Sequence, residues 1–167
     1  MISTSTNFAD GVAGAFSLRP AASADLDAIH ALLRESALPV DGVADALADF
    51  VVAESEGRLV GVIGLEVCCN DALLRSAAVA GEWRGRGLGR ALVTRIIADA
   101  ESRGMRALYL LTTTAEHYFP SFGFERTTRD RVPDAVRATG EFRSVCPDSA
   151  IVMWRELAPA RVQPAGS

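Results

Sequence analysis

The order of the apolar segments predicts an α+β fold, in which helices flank a mixed and mostly antiparallel sheet. Three consecutive segments of strand length lie between residues 50 and 79, and short turns separate them as in an antiparallel meander. A helical pattern follows from Leu88, and segments of strand length come after it at 106–111 and 150–154. Elements in this order predict a sheet covered by helices.

The first third of the chain predicts one strand and two helices. Residues 16–19 predict a short strand that Pro20 ends. Ser23 caps a helix that continues to about Ser36, because apolar side chains repeat there at helical spacing and aspartates lie in the first turn, where the helix dipole favours negative charge. Residues 41–48 predict a second, shorter helix.

The meander contains strands at 50–54, 58–67 and 73–79. Alternation along the middle strand predicts two opposite faces. The first face carries Leu59, Gly61, Ile63, Leu65 and Val67, and the second carries Val60, Val62, Gly64 and Glu66. Glu66 is therefore a carboxylate with apolar neighbours on its own face.

The second half of the chain predicts a long helix followed by shorter elements. Leu88, Leu92, Ile96 and Ala100 form the buried stripe of the long helix, and Gly104 ends it. The elements that follow are a strand at 106–111, a short helix capped by Thr112 to Thr114, a helical turn at 133–138 and a last strand at 150–154.

Length and composition predict one globular domain. A chain of 167 residues with 49% apolar side chains is long enough to bury a core. We expect this domain over residues 16–157, with flexible tails at 1–15 and 158–167. The net charge is −4 and the arginines cluster locally, so nucleic acid is not an expected partner.

The composition also predicts a cytoplasmic protein that binds neither a membrane nor a metal. Residues 1–15 contain no Lys or Arg and no continuous apolar segment of a secretory signal. No apolar run reaches the ~20 residues that span a bilayer. Cys68, Cys69 and Cys146 lack metal-ligand spacing, and their odd number argues against a disulfide framework.

A glycine-rich loop between the strand at 73–79 and the long helix predicts an anion site. Gly85, Gly87 and Gly89 lack a Cβ, so the backbone can approach a ligand closely and adopt positive φ. The first N–H groups of the helix lack intrahelical acceptors, and the helix dipole adds partial positive charge. The arginines that add full charges are Arg84, Arg86 and Arg90. Such a place suits a pyrophosphate.

The spacing of this loop indicates a family. The loop lacks the GK[ST] of a P-loop, and no acidic residue about 20 positions further on ends a second strand, as a dinucleotide fold requires. It does fit R-x-x-G-x-G, with Arg84, Gly87 and Gly89 after an apolar triplet. In these motifs the chain resembles the GCN5-related N-acetyltransferase (GNAT) superfamily, and the resemblance spans about residues 16–156.

The resemblance implies a cleft and a cofactor. In the superfamily the strands that match 73–79 and 106–111 splay apart, and the gap admits the pantetheine arm of acetyl-CoA while the loop amides hold its pyrophosphate. The motif at 122–124 matches the turn that leads into a further strand. The residues that would contact acetyl-CoA are Ala77, Val79, Arg84, Arg86, Gly87, Leu88, Gly89 and Arg90.

Three segments resemble one branch of the superfamily. "LLRSAAV", "YLLTTTAEHYFPSFGF" and "VPDAVRATGEFRSVCPDSAIVM" are similar to the arsenic-resistance-associated N-acetyltransferases, and to the acetyltransferase domain of N-acetylglutamate synthases. The resemblance implies direct acetyl transfer, in a ternary complex, to the amine of a small amino acid or amino-acid-like acid. The alternatives are acetylation of a protein amine and a non-catalytic acetyl-CoA sensor. Homodimers are common in the superfamily, so a homodimer is one alternative for the assembly.

Glu66 and Tyr118 are the candidate catalytic residues. Glu66 projects from a strand beside the expected cleft, where it could take a proton from the amine, directly or through a water. Many superfamily members place an acid tyrosine four residues before the Gly of "GF", and Phe119 occupies that position. Tyr118 lies one residue earlier, about 100° away on a helix. Two alternatives stay open for it: a role as acid or substrate contact, and a role in packing or at the surface. Without it, solvent would protonate the thiolate.

An acidic acceptor would need cationic partners. Arg75 lies on the cleft strand, and alternation places it on the face of Ala77 and Val79. For each arginine the alternative is an ordinary surface position. The other candidates for contact with the substrate are Arg34, Thr112, Thr113 and Arg143.

Overall fold

Seven strands form one sheet in the part of the chain that the structure describes. The computed structural model describes residues 15–145 and 150–158, apart from the side chains of residues 144 and 145. Every neighbouring pair of strands is antiparallel except the fourth and fifth, which are parallel. The predicted mixed, mostly antiparallel sheet is therefore confirmed. The strands are β1 (Ser17–Pro20), β2 (Phe50–Ser55), β3 (Arg58–Cys68), β4 (Asp71–Val79), β5 (Ala107–Thr112), β6 (Glu125–Thr127) and β7 (Ile151–Glu156), in the spatial order β1-β2-β3-β4-β5-β7-β6.

Helices cover both faces of this sheet. Leu74 of β4 packs in one core cluster with the third helix, while its neighbour Leu73 packs on the other face with Val136 of the fourth helix. Ile29 of the first helix packs with Val62 of β3 on that second face. Neighbouring strand residues alternate between faces, so each strand contributes to both helix layers. The helices are α1 (Leu26–Glu35), α2 (Val43–Ala46), α3 (Leu88–Ser102) and α4 (Asp134–Arg137).

α3 is the predicted long helix, and glycines set both of its ends. The predicted stripe from Leu88 to Ala100 is buried against the sheet. Gly87 precedes the helix with φ 85°, and Gly104 follows it with φ 77°. Both values lie in the left-handed region, which glycine adopts at little cost because it has no Cβ.

The predicted alternation of β3 is wrong at its first residues. Ala53 of β2 pairs with Gly61, and the next residue of β2 pairs with Leu59, so Val60 has no partner in β2. This bulge reverses the sides of the residues before it. Val60 therefore packs in the cluster of Ile63, whereas Leu59 packs in the cluster on the opposite face.

A second bulge lies between β3 and β4. Val62 pairs with Ala78 and Gly64 pairs with Arg75, so one residue of β3 faces two residues of β4. The extra residue shows in the backbone, because Ser76 has φ 61°, a left-handed conformation that L residues seldom adopt.

The bulge overturns the predicted orientation of Arg75. Before the bulge, Arg75 shares its face with Leu73, which packs in the cluster of α4. After the bulge, Val79 packs against the cluster of α3 on the opposite face. Arg75 and Val79 therefore do not share a face, because the register of β4 shifts between them.

β4 and β5 pair over a short distance and then diverge. The register of this parallel pair includes Asp71 with Ala107, Ala72 with Leu108, and Leu73 with Tyr109. β5 continues to Thr112 and β4 to Val79 without further pairing between them. The gap that the resemblance implied between these two strands is thus present.

The segment after β5 differs from the predicted short α-helix. Thr112 Oγ1 accepts hydrogen bonds from the N–H of Thr114, at 3.3 Å, and of Ala115, at 2.9 Å. Turns follow, and a 3-10 helix spans Phe119–Phe122. The threonine cap stabilises a turn rather than an α-helix, and the strand implied after residue 124 is β6.

Some predictions fall on residues that the structure does not describe. The predicted tails lie outside the described ranges, except that residue 15 begins the first range and residue 158 ends the last. Cys146 also lies outside them. The boundaries of the domain at 16–157 stay a prediction.

Replacement of Gly64 tests the packing of Phe50, in β2, against the neighbouring strand β3. A Cβ on Gly64 would collide with the ring of Phe50, which is buried. We expect Gly64→Ala to lower the free energy of unfolding by about 1–3 kcal/mol, because the ring must move within a close-packed core. Urea unfolding followed by circular dichroism measures this change.

Gly81→Ala is the matched control. A Cβ at Gly81 meets no atom within 4 Å, and its φ is not positive. This variant should stay within about 0.5 kcal/mol of the parent protein. Equal unfolding midpoints for the two variants would contradict the packing around Phe50.

Candidate active site

A cleft opens where β4 and β5 diverge. Its walls come from β4, from the end of β5, from the first turns of α3 and from the turn that follows β5. Ala77 is exposed within it, at a point where β4 no longer pairs with β5. The lining residues used below are Arg75, Ala77, Val79, Gly89, Thr112, Tyr118 and Glu141.

The glycine-rich loop forms a second pocket at one end of this cleft. Gly85 and Gly87 both have positive φ, of 77° and 85°. The first hydrogen bond of α3 runs from the N–H of Ala91 to the carbonyl of Gly87. The N–H groups of the three residues before Ala91 therefore have no acceptor in the helix. The loop pocket is lined by Val79, Trp83, Arg84, Gly85, Gly87, Gly89, Arg90 and Tyr118.

The three arginines of the loop are arranged differently from one another. Arg84 lines the loop pocket. The guanidinium of Arg86 lies over the ring of Trp83 at 5.0 Å, and that of Arg90 lies over Phe122 at 4.9 Å. Cation–π contacts of this kind orient a guanidinium and leave its charge in place.

Leu88 contributes to the loop only through its backbone. Its side chain is 1% exposed and packs in the core beneath α3. As the first residue of the helix, it presents an N–H group without an intrahelical acceptor. The predicted contact with acetyl-CoA therefore concerns this N–H group.

Tyr118 lies where the loop pocket and the cleft meet. It lines both, and a Cβ built on Gly89 would lie 3.3 Å from the Tyr118 hydroxyl. Its ring makes edge contacts with Phe119 and Phe122. Burial raises the pKa of Tyr118 and nearby Arg90 lowers it, with burial the larger effect. The phenol is therefore protonated at neutral pH and can donate a proton.

Phe119 occupies the sequence position of the acid tyrosine, but its side chain points into the core. Phe119 is 6% exposed and packs against Phe124 in the core. Tyr118 comes immediately before the 3-10 helix, so the angle expected from an α-helix does not apply. The hydroxyl group at this side of the cleft belongs to Tyr118.

Arg75 holds two carboxylates at the other side of the cleft. Its side chain is 2% exposed, and its Nη1 lies 3.2 Å from Oε1 of Glu66. Its Nε lies 3.4 Å from Oε1 of Glu141 and donates a hydrogen bond to Ser76 Oγ at 3.0 Å. Its Nη2 donates to the carbonyl of Asp41 at 2.6 Å. We call Arg75, Glu66 and Glu141 the acidic cluster, since together they carry one net negative charge when all are ionised.

The two carboxylates of the acidic cluster differ in their surroundings. Glu141 is 7% exposed and lines the cleft, whereas the side chain of Glu66 is 29% exposed and falls outside the lining formed by described residues. Burial raises the pKa of Glu141, Arg75 lowers it, and the charge of Glu66 raises it further. Glu66 thus has an ion-pair partner rather than the purely apolar setting that its strand neighbours predicted.

Glu141 is the residue that sequence reasoning missed. It belongs to the "EFRS" segment, from which only Arg143 was taken as a candidate. A π-helical turn, Glu141–Val145, carries both residues, and Arg143 is exposed outside the described lining of the cleft. No period in the sequence marks such a turn, so the only signal was an acidic residue inside a segment that resembled a known family.

The remaining candidates divide between the cleft and the surface. Thr112 lines the cleft, and its hydroxyl is occupied by the turn described above. Thr113 is exposed and is not among the described lining residues. Arg34 is exposed at the end of α1, although the neighbouring Leu38 and Pro39 reach the cleft.

The two described cysteines, Cys68 and Cys69, are free thiols. Burial raises the pKa of Cys68 to about 11, which keeps this thiol protonated at neutral pH. Cys69, the next residue, is exposed. Within residues 15–145 and 150–158, no group of three or more His, Cys, Asp or Glu side chains is placed to hold a metal ion. The helices of those ranges are all too short or too polar to cross a membrane.

The cleft and the loop pocket fit a CoA thioester. The helix N–H groups and arginines of the loop suit a pyrophosphate, and the unpaired edge of β4 near Ala77 suits the amide groups of a pantetheine arm. The fold and the site therefore define a CoA-dependent acyltransferase. Comparison with known proteins gives the family.

Residues 46–126 match the family model described as Acetyltransferase (GNAT) domain. The amino-acid acetyltransferase of Pseudomonas fluorescens (strain Pf0-1) is 36% identical over 88 residues, which are 52% of this chain and 20% of that protein. The amino-acid acetyltransferase of Ralstonia nicotianae is 32% identical over 90 residues, again 20% of that protein. The chain thus spans about a fifth of the length of these curated relatives.

Solved structures show the same fold. N-acetylglutamate synthase from Neisseria gonorrhoeae, complexed with coenzyme A and N-acetyl-glutamate, matches with a TM-score of 0.74 and 24% identity, over 86% of this chain and 35% of that one. The ribosomal-protein-S18-alanine N-acetyltransferase from Escherichia coli matches with a TM-score of 0.68 and 23% identity, over 87% and 96%. The predicted resemblance to the GNAT superfamily is confirmed over residues 46–126, which match its acetyltransferase domain, and acetyl-CoA is the acetyl donor of this family.

Charge reversal in the loop tests the anion site. We expect Arg84→Glu together with Arg86→Glu to weaken acetyl-CoA binding more than about tenfold, because two positive charges near the pyrophosphate become negative. Isothermal titration calorimetry measures the dissociation constant, and the effect should shrink as salt is added.

The matched control is Arg131→Glu together with Arg137→Glu. These arginines are exposed on and beside α4 and lie outside the described lining of the loop pocket. Their reversal changes the net charge equally and should leave the dissociation constant nearly unchanged. An equal loss in both double variants would mean that net charge, and not the loop, attracts the ligand.

Proposed function

We propose that this domain transfers the acetyl group of acetyl-CoA to the amine of a small amino acid or amino-acid-like acid, by direct attack while both substrates are bound. The observation that carries the proposal is a single cleft that follows β4 from the arginine-bearing loop to a buried carboxylate. The similarity to amino-acid acetyltransferases supports the class of acceptor.

The distance along β4 separates donor and acceptor sites. Val79 belongs to the loop pocket and Arg75 to the acidic cluster. They pair with Gly61 and Gly64 of β3, so the bulge at Ser76 leaves them about three strand positions apart, or roughly 10 Å. The loop would hold the pyrophosphate, and the edge of β4 near Ala77 would hold the pantetheine arm. This arrangement leaves the acidic end of the cleft for the amine.

The acidic end suits an amine better than a carboxylate. An ammonium group is attracted by the net negative charge of Arg75, Glu66 and Glu141, and a carboxylate within the cluster could receive its proton. Arg75 already pairs with both carboxylates. We therefore propose that it acts on the acceptor indirectly, by orienting the carboxylates at the amine end. The carboxylate of an acidic acceptor would then lie towards the surface, where Arg143 stays a candidate.

Tyr118 is proposed as the acid for the departing thiolate. Its hydroxyl lies near the start of α3, beside the loop pocket, and its phenol is protonated at neutral pH. A non-catalytic sensor would not need a proton donor at this point. The resemblance to arsenic-resistance enzymes adds arseno-amino acids to the acceptors worth testing. Cytoplasmic location and a homodimer stay predictions.

An acceptor panel tests the proposal. We expect acetyl-CoA-dependent thiol release with glutamate, phosphinothricin or arseno-amino acids. Release with peptides should be about tenfold slower, because peptides fit poorly into a cleft walled by β4, β5, α3 and the turn after β5. Faster turnover with peptides would instead indicate a protein acceptor. Acetyl-CoA binding without turnover of any amine would indicate a sensor.

Tyr118→Phe tests the proton donor. We expect kcat to fall by about 10- to 100-fold, at the low end for acid catalysis because a thiolate leaves readily, while acetyl-CoA binding is retained. Tyr109→Phe is the matched control, since this tyrosine is 7% exposed and stacks on Trp154 away from the described cleft lining. An unchanged kcat in Tyr118→Phe would assign the protonation to solvent.

A further inference from the structure

The acidic cluster contains one more negative charge than positive charge. Arg75 is the cation that contacts both Glu66 and Glu141, and its side chain is almost fully buried. One guanidinium compensates the two carboxylates only in part, so an incoming cation stabilises such a cluster. A protonated amine in the cleft would supply that cation.

Glu141 is the carboxylate of the cluster that faces the cleft. It lines the cleft and is 7% exposed, so an amine bound there would be shielded from water beside its carboxylate. Glu66 lies on the far side of the guanidinium, on Nη1, while Glu141 lies on Nε. Two other charged residues approach the cluster: Arg129, whose guanidinium lies 5.4 Å from the ring of neighbouring Phe142, and Asp41, whose carbonyl accepts from Arg75.

We propose that Glu141, and not Glu66, binds the ammonium group of the acceptor and accepts its proton, and that Arg75 is a positioning residue for this carboxylate. The inference rests on the proposed function, since it concerns the amine of that reaction. Glu66 then balances the charge of Arg75 and keeps the guanidinium between the two carboxylates.

The proton balance of this step is simple. An N–H bond of the ammonium breaks and an O–H bond forms on Glu141, which leaves a nitrogen lone pair for attack on the thioester carbonyl. The nitrogen loses a second proton as the C–N bond forms and the C–S bond breaks. Of the two protons, one ends on the CoA thiol and one in solvent.

The burial of Glu141 favours this role. Its raised pKa, caused first by burial, makes it a stronger base than a solvated carboxylate, and Arg75 limits the rise so that the group can still ionise. A purely structural role would be to hold the turn Glu141–Val145 against β4 through Arg75. The two roles differ in how the rate depends on pH.

Glu141→Gln is the decisive variant. With the acceptor that the wild type uses best, we expect kcat/KM at pH 7 to fall about 100-fold while the dissociation constant for acetyl-CoA is kept. The loss should shrink about tenfold per pH unit towards the pKa of the acceptor amine, because more acceptor then arrives already neutral. An acceptor amine of low pKa should restore most of the rate at pH 7.

Four further variants complete the test. Glu66→Gln should lose less than about tenfold and keep the shape of the wild-type pH profile, and the exposed Glu125→Gln should match the wild type. Arg75→Lys should shift the acid limb of the profile, because one ammonium cannot hold both carboxylates as the guanidinium does. Glu141→Asp retains a carboxylate, and should therefore keep the acid limb at a lower rate even if Glu141→Gln folds poorly.

Each other outcome decides against the inference. Wild-type kinetics in Glu141→Gln, or a uniform loss at every pH with normal thermal unfolding, would leave Glu141 with a structural role. The pH signature in Glu66→Gln instead would make Glu66 the proton acceptor. If the wild type acetylates no amine at all, the proposed function fails, and this inference fails with it. If the wild type is active but Glu141→Gln lacks the pH signature, the inference alone fails.

Discussion

The site depends on the limited pairing between β4 and β5. In a continuous sheet, backbone N–H and C=O groups find partners along the whole strand, and unpaired groups away from water are costly. Here the parallel pairing extends over three residue pairs and then stops, although both strands continue. The bulge at Ser76 reinforces this separation by turning β4 out of its regular register. The cleft is therefore a property of the backbone, and the side chains around it specialise a gap that already exists.

The ends of the cleft carry opposite charge, which explains how an acidic protein can bind an anionic cofactor. The net charge of the chain is −4, yet arginines and helix N–H groups gather at the loop. Glu141 and Glu66 lie with Arg75 at the far end. Because the two groups of charges lie at different ends of β4, positive charge dominates at the loop and negative charge at the acidic cluster. One cleft can thus accept a polyanion at one end and a cation at the other.

The sequence predicted what depends on local chemistry and missed what depends on long-range register. The glycines before α3 and its buried stripe follow from residue type and spacing, and the structure has both. Of the three loop arginines, Arg84 and Arg90 line the loop pocket. Ser76 gave no warning, because serine is not a residue that favours positive φ, and this one conformation reverses the face of Arg75. Leu59 is a similar case, because the bulge at Val60 moves its side chain to the opposite face of the sheet.

Glu141 shows a second limit of local reasoning. It reaches the cleft from a π-helical turn far along the chain, and its partner Arg75 lies on another element. Side chains that meet only through tertiary packing have no spacing in the sequence that identifies them. Resemblance to a family selected the right segment, and three-dimensional contacts selected the residue within it.

The three residue pairs between β4 and β5 also divide the sheet into two leaves. One leaf contains β1 to β4 and the other β5, β7 and β6, and the core beneath α3 is shared by both. A ligand that bonds to the edge of one leaf and packs against the other acts as a staple across this junction. Its binding energy opposes any opening of the leaves, so ligand occupancy and the local unfolding of the domain are thermodynamically linked. The cleft therefore lies at a junction that only a short stretch of backbone pairing holds together.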